Sequence, residues 1–180
     1  MIREIITYPN KLLRTKSKDV EEFNSELHTL LDDMYETMIA ASGVGLAAIQ
    51  IAVPLNVLII NPINEEDIQD KNDLIEAINP KITHKDGELV YQEGCLSVPG
   101  FYEDITRVKH IVVEYFNRFG EKQTMECEDF LAVAWQHEME HLSGHVFIEN
   151  LSFTKRQKFE KEWKNRKNLK NRFFPICFLK

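Results

Sequence analysis

A chain of 180 residues, 43% of them apolar and 28% charged, can bury one substantial core but is short for two. No stretch approaches the roughly 18 apolar residues of a membrane span, and Met1 to Pro9 is too short and interrupted for a signal segment. The expected location is therefore the cytoplasm, and neither a membrane nor DNA is an expected partner.

The opening residues read as a short extended arm. Asn24 or Ser25 can cap a helix in which Leu27, Leu30, Leu31, Met34, Met38 and Ile39 recur at helical spacing, with Gly43 ending it. Gly43 to Gln50 is a run of small residues that either lets another backbone or a ligand approach closely, or is a tight helix-to-strand connection. Asn56 to Ile60 reads as a buried strand, Asn64 to Asp73 as a surface loop, and Ala77 to Ile82 and Glu88 to Tyr91 as two further short strands. After Pro99-Gly100, Val108 to Phe116 alternates as a half-buried strand with Lys109, Ile111, Val113 and Tyr115 on one side. Asn117 to Gly120 turns it into a hairpin with Glu121 to Glu126. Asp129 is the expected cap of the next helix and Gly144 its stop, and Ser152 or Thr154 starts a last helix that runs to about Arg172. This order predicts an α+β fold with an antiparallel or mixed sheet.

The net charge of −7 divides unevenly. Nine Lys or Arg between Lys155 and Arg172, against Glu160 and Glu162, give that helix +7 and leave −14 for the rest. A basic tail on an acidic body either meets a polyanion or is a solvated amphipathic helix, and both readings stand. Cys95, Cys127 and Cys177 are odd in number and irregularly spaced, unlike a disulfide framework, so at least one is a candidate for chemistry.

The segment Gln136-His137-Glu138-Met139-Glu140-His141 carries the strongest chemical signal. On a helix, His137 and His141 lie one turn apart on one face, where both imidazoles reach a single metal ion and Glu138 stays free to handle a proton. Phe130 to Trp135 makes the same helix apolar nearly all round, hence buried, and buried histidines and acids need partners. A catalytic site needs a third protein ligand. A metzincin-type third histidine is replaced by Phe147, and Glu160 and Glu162, at a thermolysin-like distance, are embedded among lysines. Upstream, Cys95 in Glu93-Gly94-Cys95-Leu96-Ser97 offers a thiolate, although a lone cysteine is also an ordinary core residue.

Taken in order, Gly43-Val44-Gly45-Leu46-Ala47-Ala48-Ile49-Gln50, Glu93-Gly94-Cys95-Leu96-Ser97 and Gln136-His137-Glu138-Met139-Glu140-His141 resemble the three motifs of the peptide deformylases. The resemblance reaches from the amino-terminal arm to about Ile148. It implies a deformylase-like α+β fold around the central metal-binding helix, with Cys95, His137 and His141 holding one divalent metal and water in the fourth position. The metal would be Fe2+ in the cell, with Zn2+, Ni2+ or Co2+ possible in its place. Glu138 would take the water's proton and pass it to the leaving amine, while the Gln50 amide and the Leu96 backbone N–H stabilise the oxyanion. Gly45 would present backbone to the substrate, and Phe130, Val133 and Ala134, on His137's face, would wall a pocket for the methionine side chain. The implied substrate is the N-formylmethionine of nascent chains, the product formate, and the basic helix 155–172 a possible contact to the ribosome. One position departs from the family, which usually has aspartate before the second histidine; Glu140 is expected to alter a hydrogen bond behind the ligands, to Arg107.

Residues 1–150 are thus expected to form one catalytic domain, with 151–180 a basic helix and apolar tail packed on it or extending from it. Two competing readings remain at this point: a metallopeptidase cutting internal peptide bonds, and a ribosome- or RNA-binding module with a structural metal.

Overall fold

A computed structural model describes residues 1–64, 66 and 68–167. Expectations for the helix beyond 167 and for the apolar tail 173–179 lie outside the described residues. Helix α1 (Ser25–Ala40) is followed by strands β1 (Gly45–Ala47), β2 (Val57–Ile60), β3 (Ile75–Cys95), β4 (Val98–Phe116) and β5 (Lys122–Glu128), then helices α2 (Asp129–Leu142) and α3 (Phe153–Lys167). The five strands form one sheet in the order β1-β2-β3-β4-β5, every neighbouring pair antiparallel.

The four residues of β2 are all buried because the sheet is covered on both faces. Leu58 and Ile60 pack with Ala77, Ile111, Val113, Tyr115 and Trp135 of α2, whereas Val57 and Ile59 pack with Leu27, Leu31, Met34 and Met38 of α1. Two residues apart on a strand means one face, so the alternation itself sorts the two clusters. A third cluster, built from Leu13, Cys95, Val98, Ile105, Phe147 and Phe159, lies where the tip of the β3–β4 hairpin meets α3. Among the described residues, no helix is long and apolar enough to cross a membrane.

Helix α1 starts as expected: Asn24 Oδ1 accepts from the N–H groups of Glu26 and Leu27, both at 3.1 Å. Its end differs. The left-handed residue is Ser42 (φ 51°), with Ser42 N donating to Ile39 O and Gly43 N to Met38 O, so Gly43 stands one place beyond the left-handed residue. Ile39, placed on the apolar face by its spacing, is 37% exposed. The Gly43–Gln50 run becomes β1 followed by a 3-10 turn, Ala48–Ile51.

The short strands read over 77–82, 88–91 and 108–116 are parts of one long hairpin whose second strand begins at Val98. Two causes hid it. Residues 83–88 are exposed, so no alternation marks them, and register shifts at Ile78/Lys81 and Ile82/His84 break the period of two while the backbone ladder continues. At the start of α2 the cap position is Glu128, with no side-chain cap bond, and Asp129 is the first helical residue with φ 48°. Strand β5 runs into α2 without a loop, and Asp129 makes the corner in the left-handed region, which aspartate tolerates better than most residues.

Helix α2 stops as its sequence indicates. Gly144 (φ 77°) donates to His141 O at 3.0 Å and His145 N to Glu140 O at 3.0 Å. A side chain at Gly144 would place its Cβ 2.6 Å from the Arg14 carbonyl oxygen. Gly144→Ala therefore combines a left-handed alanine, costing about 1–2 kcal/mol, with a backbone overlap, and is expected to destabilise the fold by at least about 2 kcal/mol in urea unfolding.

Candidate metal centre

The end of β3 and one face of α2 meet in a buried corner. His137 and His141 stack one turn apart, ring centroids 5.1 Å from each other, and Cys95 Sγ lies 3.2 Å from His141 Nε2. One donor atom from each of the three residues falls within 4.8 Å of the others, and all three residues are buried.

Glu93, two residues before Cys95, is completely buried and receives His137 Nδ1 at 2.8 Å. Burial alone would raise the pKa of Glu93, but the Arg107 guanidinium and His137 bring it down to about 2. An ionised carboxylate only accepts, so Nδ1 of His137 carries the proton and the Nε2 lone pair is left for a metal. Arg107 holds Glu93 through Nε and Nη2 and turns Nη1 and Nη2 to the two oxygens of Glu140, confirming the expected partner of that residue. A cysteine sulfur with two imidazoles is a donor set that suits zinc, iron, nickel or cobalt.

Around this corner, Gln50 is fixed at both ends. Its Oε1 accepts from Ala47 N at 2.8 Å, which aims Nε2 at Ser97 Oγ (3.1 Å) and Cys95 Sγ (3.6 Å). Glu138 is buried, and desolvation pushes its pKa up to about 7. Its Oε2 has no hydrogen-bond partner among the described residues. A Cβ at Gly45 would lie 2.4 Å from Glu138 Oε1, so glycine there is a condition for that carboxylate's position. A cavity of about 20 Å³, enough for about one water molecule, is lined by Gly45, Gln50, Cys95, Leu96, His137 and Glu138 together with Gly43, Val44 and Gly94.

A sequence profile of the polypeptide deformylases matches residues 2–157. The chain belongs to the polypeptide deformylase family. Among relatives, the peptide deformylase of Campylobacter jejuni is 58% identical over 168 residues, covering 93% of this chain and 96% of its own. That of Helicobacter pylori strain G27 is 55% identical over 161 residues, covering 89% and 92%. Among solved structures, the peptide deformylase of Legionella pneumophila superposes with a TM-score of 0.88 at 39% identity over 96% of this chain and 99% of its own. That of Ehrlichia chaffeensis, in complex with actinonin, superposes with a TM-score of 0.83 at 36% identity over 92% and 97%. Deformylases are metalloenzymes, in keeping with the donor set described above.

The deformylase fold brings Gly45, Gln50, Cys95, Leu96, His137 and Glu138 to one cavity, with His141 behind Cys95. Phe130, Val133 and Ala134 do not line that cavity. Ala134 sits in the core beneath the sheet, Val133 is buried, and Phe130 is partly buried with its ring 6.1 Å from that of Tyr91. Reading the sequence left Glu93 and Ser97 without a role, although both stand inside the cysteine motif. A buried acid that close to a proposed ligand was the available signal for Glu93. Replacing Glu93 by Gln removes the charge that orients His137, and metal affinity is expected to fall about 10- to 100-fold, measured by competition with a chromophoric chelator.

Proposed function

We propose that this protein removes the formyl group from N-formylmethionine at the start of nascent polypeptides in the cytoplasm, releasing formate and a free amino terminus. The observation that carries this reading is the buried Cys95, His137 and His141 set with Glu138 beside it, in a chain of the deformylase family. Cys95, His137 and His141 would hold the metal, Fe2+ in the cell, with Zn2+, Ni2+ or Co2+ able to substitute. When bound, it supplies Lewis acidity that makes water a nucleophile near neutral pH.

The chain's own residues do the rest. Glu138, with one oxygen unpartnered in the protein, takes the proton of the attacking water and delivers it to the nitrogen as the C–N bond breaks. Water's oxygen leaves in formate, and the nitrogen departs as the peptide's amine. The Gln50 amide, already aimed by Ala47, and the Leu96 N–H donate to the carbonyl oxygen as it becomes negative. Strand β1 is an edge of the sheet, so the substrate backbone can add beside Gly45 as a further strand. Phe130, Val133 and Ala134 precede His137 by seven, four and three residues and lie on its face of α2, where the methionine side chain would be received.

Membership of the deformylase family supports formyl removal over a peptidase of internal bonds. With three protein donors among the described residues, a bound metal would keep a position for water, as catalysis needs and a closed structural site lacks. We further infer that α3 meets the ribosome. Lys155, Lys158, Lys161 and Lys164 are exposed along it, and Lys155 also pairs with Glu103.

Formate release from formyl-Met-Ala-Ser by anaerobically purified, Fe2+-loaded protein tests the reading. Glu138→Ala is expected to lower kcat at least about 10²- to 10⁴-fold and Gln50→Ala about 10²- to 10³-fold. A loaded parent that releases no formate overturns it. Charge reversal at Lys158, Lys161 and Lys164 is expected to abolish co-sedimentation with ribosomes at low salt while leaving formate release unchanged; undiminished co-sedimentation removes the ribosome contact.

A further inference from the structure

The hydrogen bonds that fix Glu140 continue past Arg107. The side-chain amide of Asn150 donates to both carboxylate oxygens of Glu140, at 3.1 and 3.0 Å, and Asn150 Oδ1 meets His145 Nε2 at 3.0 Å. The other ring nitrogen of His145 lies 2.8 Å from Glu149 Oε2. Asn150 is exposed, the Glu140 side chain is 26% exposed and that of Arg107 only 5%. An unbroken series of contacts thus runs inward from the surface: Asn150, Glu140, Arg107, Glu93, His137.

What the outer end does follows from how the inner donors are shared. Glu93 Oε2 accepts from both Arg107 Nη2 and His137 Nδ1, each at 2.8 Å. Arg107 Nη2 in turn also reaches Glu140 Oε2 at 3.0 Å. If Glu140 swings toward water, Arg107 keeps its buried charge but loses the acceptor for Nη1 and half the demand on Nη2. The guanidinium then settles further onto Glu93, in competition with His137 for the same oxygen. An amide that engages both oxygens of Glu140 prevents this by holding the carboxylate edge-on to the guanidinium fork.

We propose that Asn150 and Glu140 form a clamp that fixes the orientation of His137, and so the protein's hold on its metal, from outside the site. Asn150 is a positioning residue, distant from the reacting atoms. The extra methylene of Glu140 is what makes the clamp possible. Aspartate at this place, shorter by about 1.5 Å, could not meet Arg107 and Asn150 together at the lengths seen. The inference rests on the metal-site reading above, and its readout is the metal rather than turnover.

The test uses the full chain loaded with Co2+ without oxygen, following the visible ligand-field bands, the thiolate-to-metal charge-transfer band and the rate of Co2+ release to a chelator. Asn150→Ala is expected to shift the ligand-field bands and speed release about 3- to 10-fold, less than removal of a residue touching the ligand itself. Asn150→Asp, equal in size but repelling Glu140, is expected to exceed it. Glu140→Asp should reproduce the effect, and adding Asn150→Ala to it should change nothing more. Bands and release rates in Asn150→Ala and Asn150→Asp equal to the parent's overturn the clamp, as does additivity in the double variant. A parent that binds Co2+ without a thiolate band overturns the metal reading and the clamp with it.

Discussion

The pairing of Glu93 with Arg107 is the interaction on which the rest of this molecule depends. Two imidazoles, a thiol and a carboxylate are buried together on α2 and the end of β3, and burial of so many polar groups is unfavourable unless each is met. Glu93 meets His137, and Arg107 meets Glu93 and Glu140, so the charges are arranged in alternation from the metal ligand outward. Either member without the other would be a buried charge short of its bidentate partner, a fault of several kcal/mol in a fold whose whole stability is about 5–15 kcal/mol. The same pair that makes the corner foldable also decides which nitrogen of His137 is presented to the metal.

Delivering that pair is the work of the long hairpin. Glu93 and Cys95 lie at the end of β3, and Arg107 on β4 pairs with Leu89 across the ladder. The register shift between Glu93 and Cys95 adjusts the strand just before the tip, where Cys95 pairs with Val98. Meanwhile the amino-terminal arm ties down both flanks of the site from behind: Ile6 N donates to Gln50 O and Tyr8 N to Ser97 O, both at 2.8 Å. The arm thus has no place in the sheet yet fixes two loops that line the metal corner.

How far all this could be read from sequence varies with the physical origin of each feature. The helix α2, its paired histidines and its glycine stop were legible because i,i+4 spacing and a left-handed cap are local rules. The cap of α1 was legible for the same reason, through Asn24. Residues 83–88 were not, since this stretch of β3 is an exposed edge beyond its pairing with β2, which leaves no hydrophobic alternation, and its ladder to β4 is a long-range property. Asp129 misled because aspartate serves both as a helix cap and as a left-handed corner, and only the direct junction with β5 selects the second. Glu93 was overlooked because its role depends on two partners, 14 and 44 residues away, that spacing cannot bring together. Glu140, by contrast, stood out as a departure from a family pattern, and its contact with Arg107 followed.

The two described cysteines show why residue type alone could not assign the chemistry. Cys95 and Cys127 are both buried and both free. Cys127 faces the core under the sheet with Ile111, Val113 and Trp135, where desolvation pushes its thiol pKa up to about 11. Desolvation there outweighs the Trp135 indole, which alone would favour a thiolate, so Cys127 behaves as a small apolar residue. Cys95 has an imidazole at 3.2 Å and the Gln50 amide at 3.6 Å, polar neighbours that suit the deprotonated sulfur a metal requires. Burial is shared between the two; the difference lies in whether the surrounding dipoles and charges are arranged for an anion. That arrangement, rather than the cysteine, is what the fold of this chain provides.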